Sequence, residues 1–193
     1  MCGRFTYREK TSYEIEKELM LPRAFIRAAK GDICPGMDAL SFIKGSSKDD
    51  LALEWMFWGI KNADQKLIIN ARAETITQKA SFSQSMEHRR CILPAAAFYE
   101  WNRDKTKYTF TEINDKPIYL AGFYDLSDNR DSFVIITTAA NSSMLPVHDR
   151  MPVMIDKKNV REYLYDHSSA LDMIREPMPE LKRSCEYEQL SLF

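Results

Sequence analysis

Apolar and polar positions along this chain change over in short runs, and sustained helical periodicity is rare. Residues 39–44 and 51–58 read as two strands joined by the polar turn Gly45-Ser46-Ser47-Lys48-Asp49-Asp50. Leu67-Ile68-Ile69 is a short apolar run leading into Asn70. Further strand-like runs cover 91–93, 96–101, 107–113, 117–124 and 132–138, with Asn114-Asp115 as the turn between two of them. Thr11-Ser12-Tyr13-Glu14 has the form of a capping box and starts a helix with Ile15 and Leu19 on one face, ending near Pro22. A second helical stretch is expected around 23–29, and the four-residue spacing of Phe82 and Met86 places a short helix within 77–89. Residues 157–165 and 168–175 read as two late helices, closed by Pro177 and Pro179. Strands outnumber helices and mostly follow one another without helical crossovers. That predicts an α+β fold with a β-rich, mixed or antiparallel, barrel-like sheet and peripheral helices.

The 193 residues suit one domain, 1–188, followed by a short tail at 189–193. A 45% apolar content is enough to bury a sizeable core. The net charge of −1 means that a nucleic-acid site, if present, is a local basic patch against an acidic remainder. Apolar runs fall well short of a membrane span, and Met1-Cys2-Gly3-Arg4-Phe5 has no secretory apolar segment, so a cytoplasmic location is expected. None of Cys2, Cys34, Cys91 and Cys185 forms a C-x-x-C pair or lies near a histidine at zinc spacing, which argues against a metal site. Cys91 and Cys34 read as structural, and disulfides are not expected in a reducing compartment. The chain has no G-x-G-x-x-G and no phosphate-binding P-loop, so nucleotide cofactors have no support.

Chemistry is concentrated at a few positions. Removal of Met1 would leave Cys2 with an α-amine and a thiol on adjacent carbons. An α-amine titrates at about 7.7–8.0, so roughly a tenth is free base near neutral pH, on the order of a few hundredfold more than for a lysine. Such a pair condenses with an aldehyde to an imine, which the thiol then closes to a thiazolidine. His148 stands in Pro146-Val147-His148-Asp149-Arg150-Met151-Pro152, a loop after an apolar strand, where catalytic groups are common. His88 and His167 read as non-functional, on a polar helix face and in a polar turn. Glu100 lies between aromatics in Phe98-Tyr99-Glu100-Trp101, and burial of a carboxylate there would raise its pKa toward the range of a general acid or base. In Asn70-Ala71-Arg72-Ala73-Glu74, the asparagine can orient a reacting group and Arg72 can bind phosphate.

Taken in order, five blocks resemble the SOS response-associated peptidase family, also called the abasic-site processing proteins. They are Met1-Cys2-Gly3-Arg4-Phe5, Asn70-Ala71-Arg72-Ala73-Glu74-Thr75, Arg89-Arg90-Cys91-Ile92-Leu93-Pro94, Phe98-Tyr99-Glu100-Trp101, and Ile136-Thr137-Thr138-Ala139-Ala140-Asn141 through Met151-Pro152. The resemblance implies a DNA-repair protein that shields abasic sites in single-stranded DNA through a thiazolidine crosslink at Cys2, after autocatalytic or enzymatic loss of Met1. It implies supporting roles for Asn70, Glu100 and His148, and DNA contacts at Gly3, Arg4, Pro35, Trp58, Arg72, Thr138 and Arg150, the arginines neutralising phosphates. No cofactor or metal is implied, and a monomer is expected.

Three features depart from the family pattern. Trp58-Gly59 is followed by Ile60-Lys61-Asn62 where proline and often a second tryptophan are usual. Asp32-Ile33-Cys34-Pro35 and Gly36-Met37-Asp38 carry carboxylates that would weaken a neighbouring phosphate contact, and the C-terminal third is shortened. Two other readings of the same residues stay open: a cysteine peptidase using Cys2, His148 and Glu100 or Asn70, and a non-catalytic single-stranded DNA-binding module. Separately, Gln189-Leu190-Ser191-Leu192-Phe193 resembles the short peptide by which bacterial proteins bind the DNA polymerase sliding clamp; the competing reading is a last strand covering the core.

Overall fold

A computed structural model describes residues 2–22, 26, 31–47, 50–78, 80–126 and 130–185. The helix expected at 23–29 and the tail at 189–193 therefore lie outside the described residues, Ile26 apart. In chain order the first elements are β1 (Phe5–Tyr7), α1 (Glu9–Glu18), β2 (Gly31–Ile33), β3 (Asp38–Lys44), β4 (Leu51–Trp58), β5 (Ile60–Lys61), β6 (Leu67–Ile68) and β7 (Asn70–Arg72). There follow a 3-10 turn (Ala73–Thr75), α2 (Ala80–His88), β8 (Arg90–Ala95), β9 (Ala97–Trp101), β10 (Lys107–Thr111), β11 (Ile118–Asp125) and β12 (Ser132–Ala139). The last are β13 (Arg150–Pro152), a 3-10 turn (Lys157–Asn159), α3 (Val160–Tyr165), α4 (His167–Met173) and β14 (Lys182–Cys185).

Two sheets carry the fold. One runs β14-β10-β9-β1-β2 and is antiparallel throughout. The other runs β11-β8-β3-β4-β12-β13, and a further β11–β12 pairing turns it back on itself into a ring. Among the described residues, only the pairings of β12 with β4 and β7 are parallel, so the sheet is mixed but mostly antiparallel, as the lack of helical crossovers predicts. β8 and β9 are nearly continuous and pass the chain from the ring to the open sheet. Ala96, between them, donates its N–H to the Thr6 carbonyl at 2.8 Å.

β8 is buried along its whole length, Arg90 included. The guanidinium is tolerated there because it donates to the carbonyls of Met86 and Glu87 at the end of α2 and of Tyr163 and Leu164 at the end of α3. Helix C-termini present unsatisfied carbonyls and partial negative charge, so one cation caps both. Beside it, a Cβ on Gly122 would lie 2.7 Å from the Val134 carbonyl oxygen, so β11 and β12 meet closely only with glycine there.

Trp58 joins the two sheets. Its ring lies 5.3 Å from Phe5 on β1 and 5.9 Å from Phe133 on β12, and its Nε1–H donates to the Ile69 carbonyl at 3.0 Å. The residue is 0% exposed. Gly59, at φ 126°, then turns the chain out of β4 into the β5–β6 hairpin.

Some local expectations need correction. α1 starts at Glu9 with Arg8 as its N-cap and no side-chain cap, so Thr11 lies in the first turn and its buried side chain does not cap. β1 delivers the chain to α1 directly, and packing rather than a capping box sets the start. The single helix expected at 157–165 is a 3-10 turn followed by α3, with the Asp156 side chain accepting from Lys158 N–H. β1, β2 and β14 were not legible as strands, because each has three or four residues and no alternation to read. Among the described residues, no helix is long and apolar enough to cross a membrane.

Trp58→Phe should keep most of the packing but remove one of the two hydrogen bonds to the Ile69 carbonyl, which keeps its bond from Ile135 N–H at 3.1 Å. The expected cost is about 0.5–1.5 kcal/mol in urea unfolding, the net worth of one hydrogen bond, with no change in secondary structure by circular dichroism.

Candidate functional site

Residue 2 is buried although it stands almost at the chain end. Its side chain is 0% exposed, and its carbonyl accepts from Asn70 Nδ2 at 3.0 Å. Asn70 opens β7, which is held against β12 by the parallel register Ile135↔Asn70, Ile136↔Ala71 and Thr137↔Arg72. The other amide atom, Asn70 Oδ1, is buried and has no hydrogen-bond partner among the described residues. It is an acceptor left over beside the backbone of residue 2.

The neighbouring strand supplies the acid. Tyr99 N–H donates to the Arg4 carbonyl at 2.9 Å and Phe5 pairs with Phe98, so β1 and β9 bring Glu100 alongside Cys2. Glu100 is 6% exposed, and its Oε1 accepts from Trp101 N–H at 3.3 Å. Burial and, next to it, the Glu100 charge push the Cys2 thiol up to about 12, against a smaller opposing pull from the Arg4 backbone N–H. The thiol is therefore protonated at neutral pH.

His148 sits on the loop before β13. An open cleft of about 660 Å³ separates this loop, with Leu145 and His148, from the β9–β10 turn, with Trp101 and Arg103. Trp101 follows Glu100 directly, so the histidine faces the acid's strand across the cleft. The Arg150 backbone N–H donates to His148 Nδ1 at 2.9 Å. Asp149 Oδ1 lies at the same 2.9 Å from Nδ1, but its side chain is 82% exposed and free to turn into water. The backbone donor is fixed by the loop, so it is the firmer of the two partners.

The expected DNA-contacting residues divide. Arg4 stacks over the Trp101 ring at 5.3 Å and stands 3.8 Å from Asp32, so one of the added carboxylates is spent on it. Asp38, the other, pairs with Arg130. Arg72 is exposed at the end of β7, while Gly3, Pro35 and Thr138 are half-buried. Trp58 is a correction: fully buried between Phe5 and Phe133, it has no ring face left for a base. Arg150 also reads differently. Its Nη1 and Nη2 grip both Glu74 oxygens at 2.6 and 2.9 Å, and Nη2 donates to the Thr137 carbonyl at 2.7 Å. Those bonds hold the Glu74 carboxyl below the usual carboxylate range. Sequence reasoning missed both Glu74 and Trp101 as partners of the site, although each lies inside a block it had singled out. Among the described residues, no cluster of three or more His, Cys, Asp or Glu could hold a metal.

Comparison with known proteins shows what the whole chain is similar to. The SOS response associated peptidase (SRAP) family matches residues 1–191. The abasic site processing protein YoqW of Bacillus subtilis (strain 168) is 32% identical over 191 residues, covering 91% of this chain and 85% of that protein. The abasic site processing protein YedK of Escherichia coli (strain K12) is 27% identical over 181 residues, covering 85% and 79%. Among solved structures, a phage-related protein from Bordetella bronchiseptica superposes with a TM-score of 0.76 at 25% identity, over 96% of this chain and 94% of that one. Another Bordetella bronchiseptica protein gives 0.78 at 19% identity, over 95% and 99%, and speaks to the fold alone.

With residue 1 attached, Cys2 should alkylate roughly 10³-fold more slowly in the folded chain than in urea at mildly alkaline pH, since the thiolate fraction drops about tenfold for each unit of raised pKa. Because the folded pKa, about 12, lies above the ordinary 9.0, the thiol's contribution to stability is full below pH 9.0 and lost as pH rises toward 12. Cys2→Ser should flatten the stability profile in that window, and an unchanged profile would show that the thiol is not buried as described.

Proposed function

The chain belongs to the SOS response associated peptidase family, whose curated relatives are named abasic site processing proteins, and on that footing we propose that it captures abasic sites in single-stranded DNA through Cys2. Once Met1 is removed, the Cys2 amine attacks the aldehyde of the ring-opened sugar and water leaves, giving an imine. The thiol then adds across the C=N bond. A C–S bond forms, the C=N pair moves onto nitrogen, and the thiol proton follows it, closing the thiazolidine.

The observation that carries this reading is the placement of residue 2. Asn70 holds its carbonyl, and Glu100 is close enough to act on its thiol. Glu100 shuttles protons during sugar opening and imine formation, a role worth about 10²–10⁴ in rate. Asn70 Oδ1 offers an acceptor for the freed amine. His148 assists proton transfer at the sugar, and Arg4 and Arg72 neutralise phosphates. A protonated thiol suits the order of steps. It is a poor opening nucleophile for a peptidase, because the thiolate is the reactive form. It ionises readily once an iminium cation forms beside it.

Met1-free protein should give a heat-stable adduct with an abasic single-stranded oligonucleotide on denaturing electrophoresis, and none with the intact one. Cys2→Ala should leave at most a reducible imine, and Glu100→Gln should slow adduct formation or reversal by about 10²–10⁴-fold with little change in DNA affinity. A heat-stable adduct from Cys2→Ala would sink the mechanism.

The tail Gln189-Leu190-Ser191-Leu192-Phe193 is proposed as a sliding-clamp anchor, because a Gln at one end and a Leu-Phe pair at the other suit two separate apolar pockets. Titrating purified bacterial clamp with the full chain and with a chain ending at residue 188 tests it. Binding near 1 μM (about −8 kcal/mol) should be lost with the tail. Equal binding by both chains would refute it.

A further inference from the structure

The open sheet has two unlike faces. Phe5, Phe98 and Phe110 point to the core from one of them and are fully buried. The other begins at Trp101, on the rim of the cleft beside His148, and crosses β10, β9 and β1. Lys107 pairs with Trp101 across β9–β10, so both side chains stand on this face, and alternation adds Tyr99. On β1 the same face carries Thr6, paired with Ala97, with Arg4 two residues before it and Arg8 two residues after. We propose that this face binds single-stranded DNA and is the path of the strand that flanks the abasic nucleotide.

Cations and rings are interleaved along it. The Arg4 guanidinium lies 5.3 Å from the centre of the Trp101 ring, and the Lys107 ammonium 4.0 Å from that of Tyr99. A cation resting on a ring is held in place while its remaining N–H groups stay available to phosphate oxygens. The Tyr99 hydroxyl hydrogen-bonds to Thr6 and Asp32, which fixes that ring, and Arg8 lies close enough to act on it. Among the described residues, Arg8 and Lys107 have no carboxylate partner. Asp32 is the carboxylate that faces these cations. It approaches Arg4 only to 3.8 Å, with both side chains more than a third exposed, so it offsets little of their charge.

A net charge of −1 over the chain means that this concentration of positive charge is local. Cations set between aromatic rings on an open strand surface are the chemistry that tracks a single nucleic-acid strand. Position favours DNA over an acidic peptide. Arg4 is two residues from Cys2, and Trp101 follows Glu100, so a strand with its sugar at Cys2 meets this face directly. The role rests on the capture reading for what the strand delivers, but binding of an intact strand is independent of it.

The test is a fluorescence titration of the full chain with an intact oligothymidylate at several salt concentrations. Arg8→Glu with Lys107→Glu should weaken binding roughly tenfold or more, and Arg8→Gln with Lys107→Gln should flatten the log–log salt slope by about 0.7 for each cation removed. Lys158→Glu, the same charge change on the exposed 3-10 turn before α3, should leave binding unaltered. Where thermal melting shows that the double reversal does not fold, the glutamine pair is read alone. Affinity and salt slope unmoved by the Arg8 and Lys107 variants would overturn the proposal. So would an equal loss from Lys158→Glu, which would make the effect one of net charge, or poly-glutamate competing as well as DNA. Absence of any adduct between Met1-free protein and abasic DNA would overturn the capture reading instead, and leave these titrations to judge the face.

Discussion

Everything at this site depends on burying the second residue of the chain. Termini normally stay exposed and loosely held, because nothing offsets the entropy lost by ordering them. Here β1 starts at Phe5, between β2 and β9, and the preceding residues continue into the junction of the two sheets. The Asn70 bond to the Cys2 carbonyl fixes the main chain at that point. The backbone of residue 2 is thereby held in place on the strand side that carries Glu100.

The junction itself rests on Trp58. Phe5 on one side and Phe133 on the other make it a common wall of the open sheet and the ring. Its indole N–H satisfies the carbonyl of Ile69, immediately before Asn70. The tryptophan thus acts on the site from beneath. Its ring supports β1, and its hydrogen bond places the residue that precedes the asparagine. Such a residue looks functional in sequence because it stands near candidate site residues, yet its energetic role is packing and one hydrogen bond.

The charges around the site are largely paired within the protein. Arg4 faces Asp32, Arg130 faces Asp38, and Arg150 is gripped by Glu74. A net charge of −1 left room only for local basic groups, and several of these are engaged in holding loops. Arg72 stands out as exposed at the end of β7. Electrostatics here serve geometry as much as attraction. Partly buried ion pairs with forked bonds restrict side chains, whereas exposed pairs contribute little.

The sequence by itself determined the strand-rich class and the β3–β4 hairpin, and it singled out Cys2, Asn70, Glu100 and His148 as candidate groups. Alternation over five or more residues reports a sheet face directly, and a thiol beside an α-amine is chemically distinct wherever the chain folds. The tertiary structure alone decided the rest. The three-residue β1 and β2 have too little pattern to read; β1 exists because the longer β9 accepts it, and β2 because β1 does in turn. Burial of Trp58, and the grip of Glu74 on Arg150 from 76 positions away, depend on which strands become neighbours. Residue type tells what a side chain is able to do, and only the packing around it settles which of those capacities is already used.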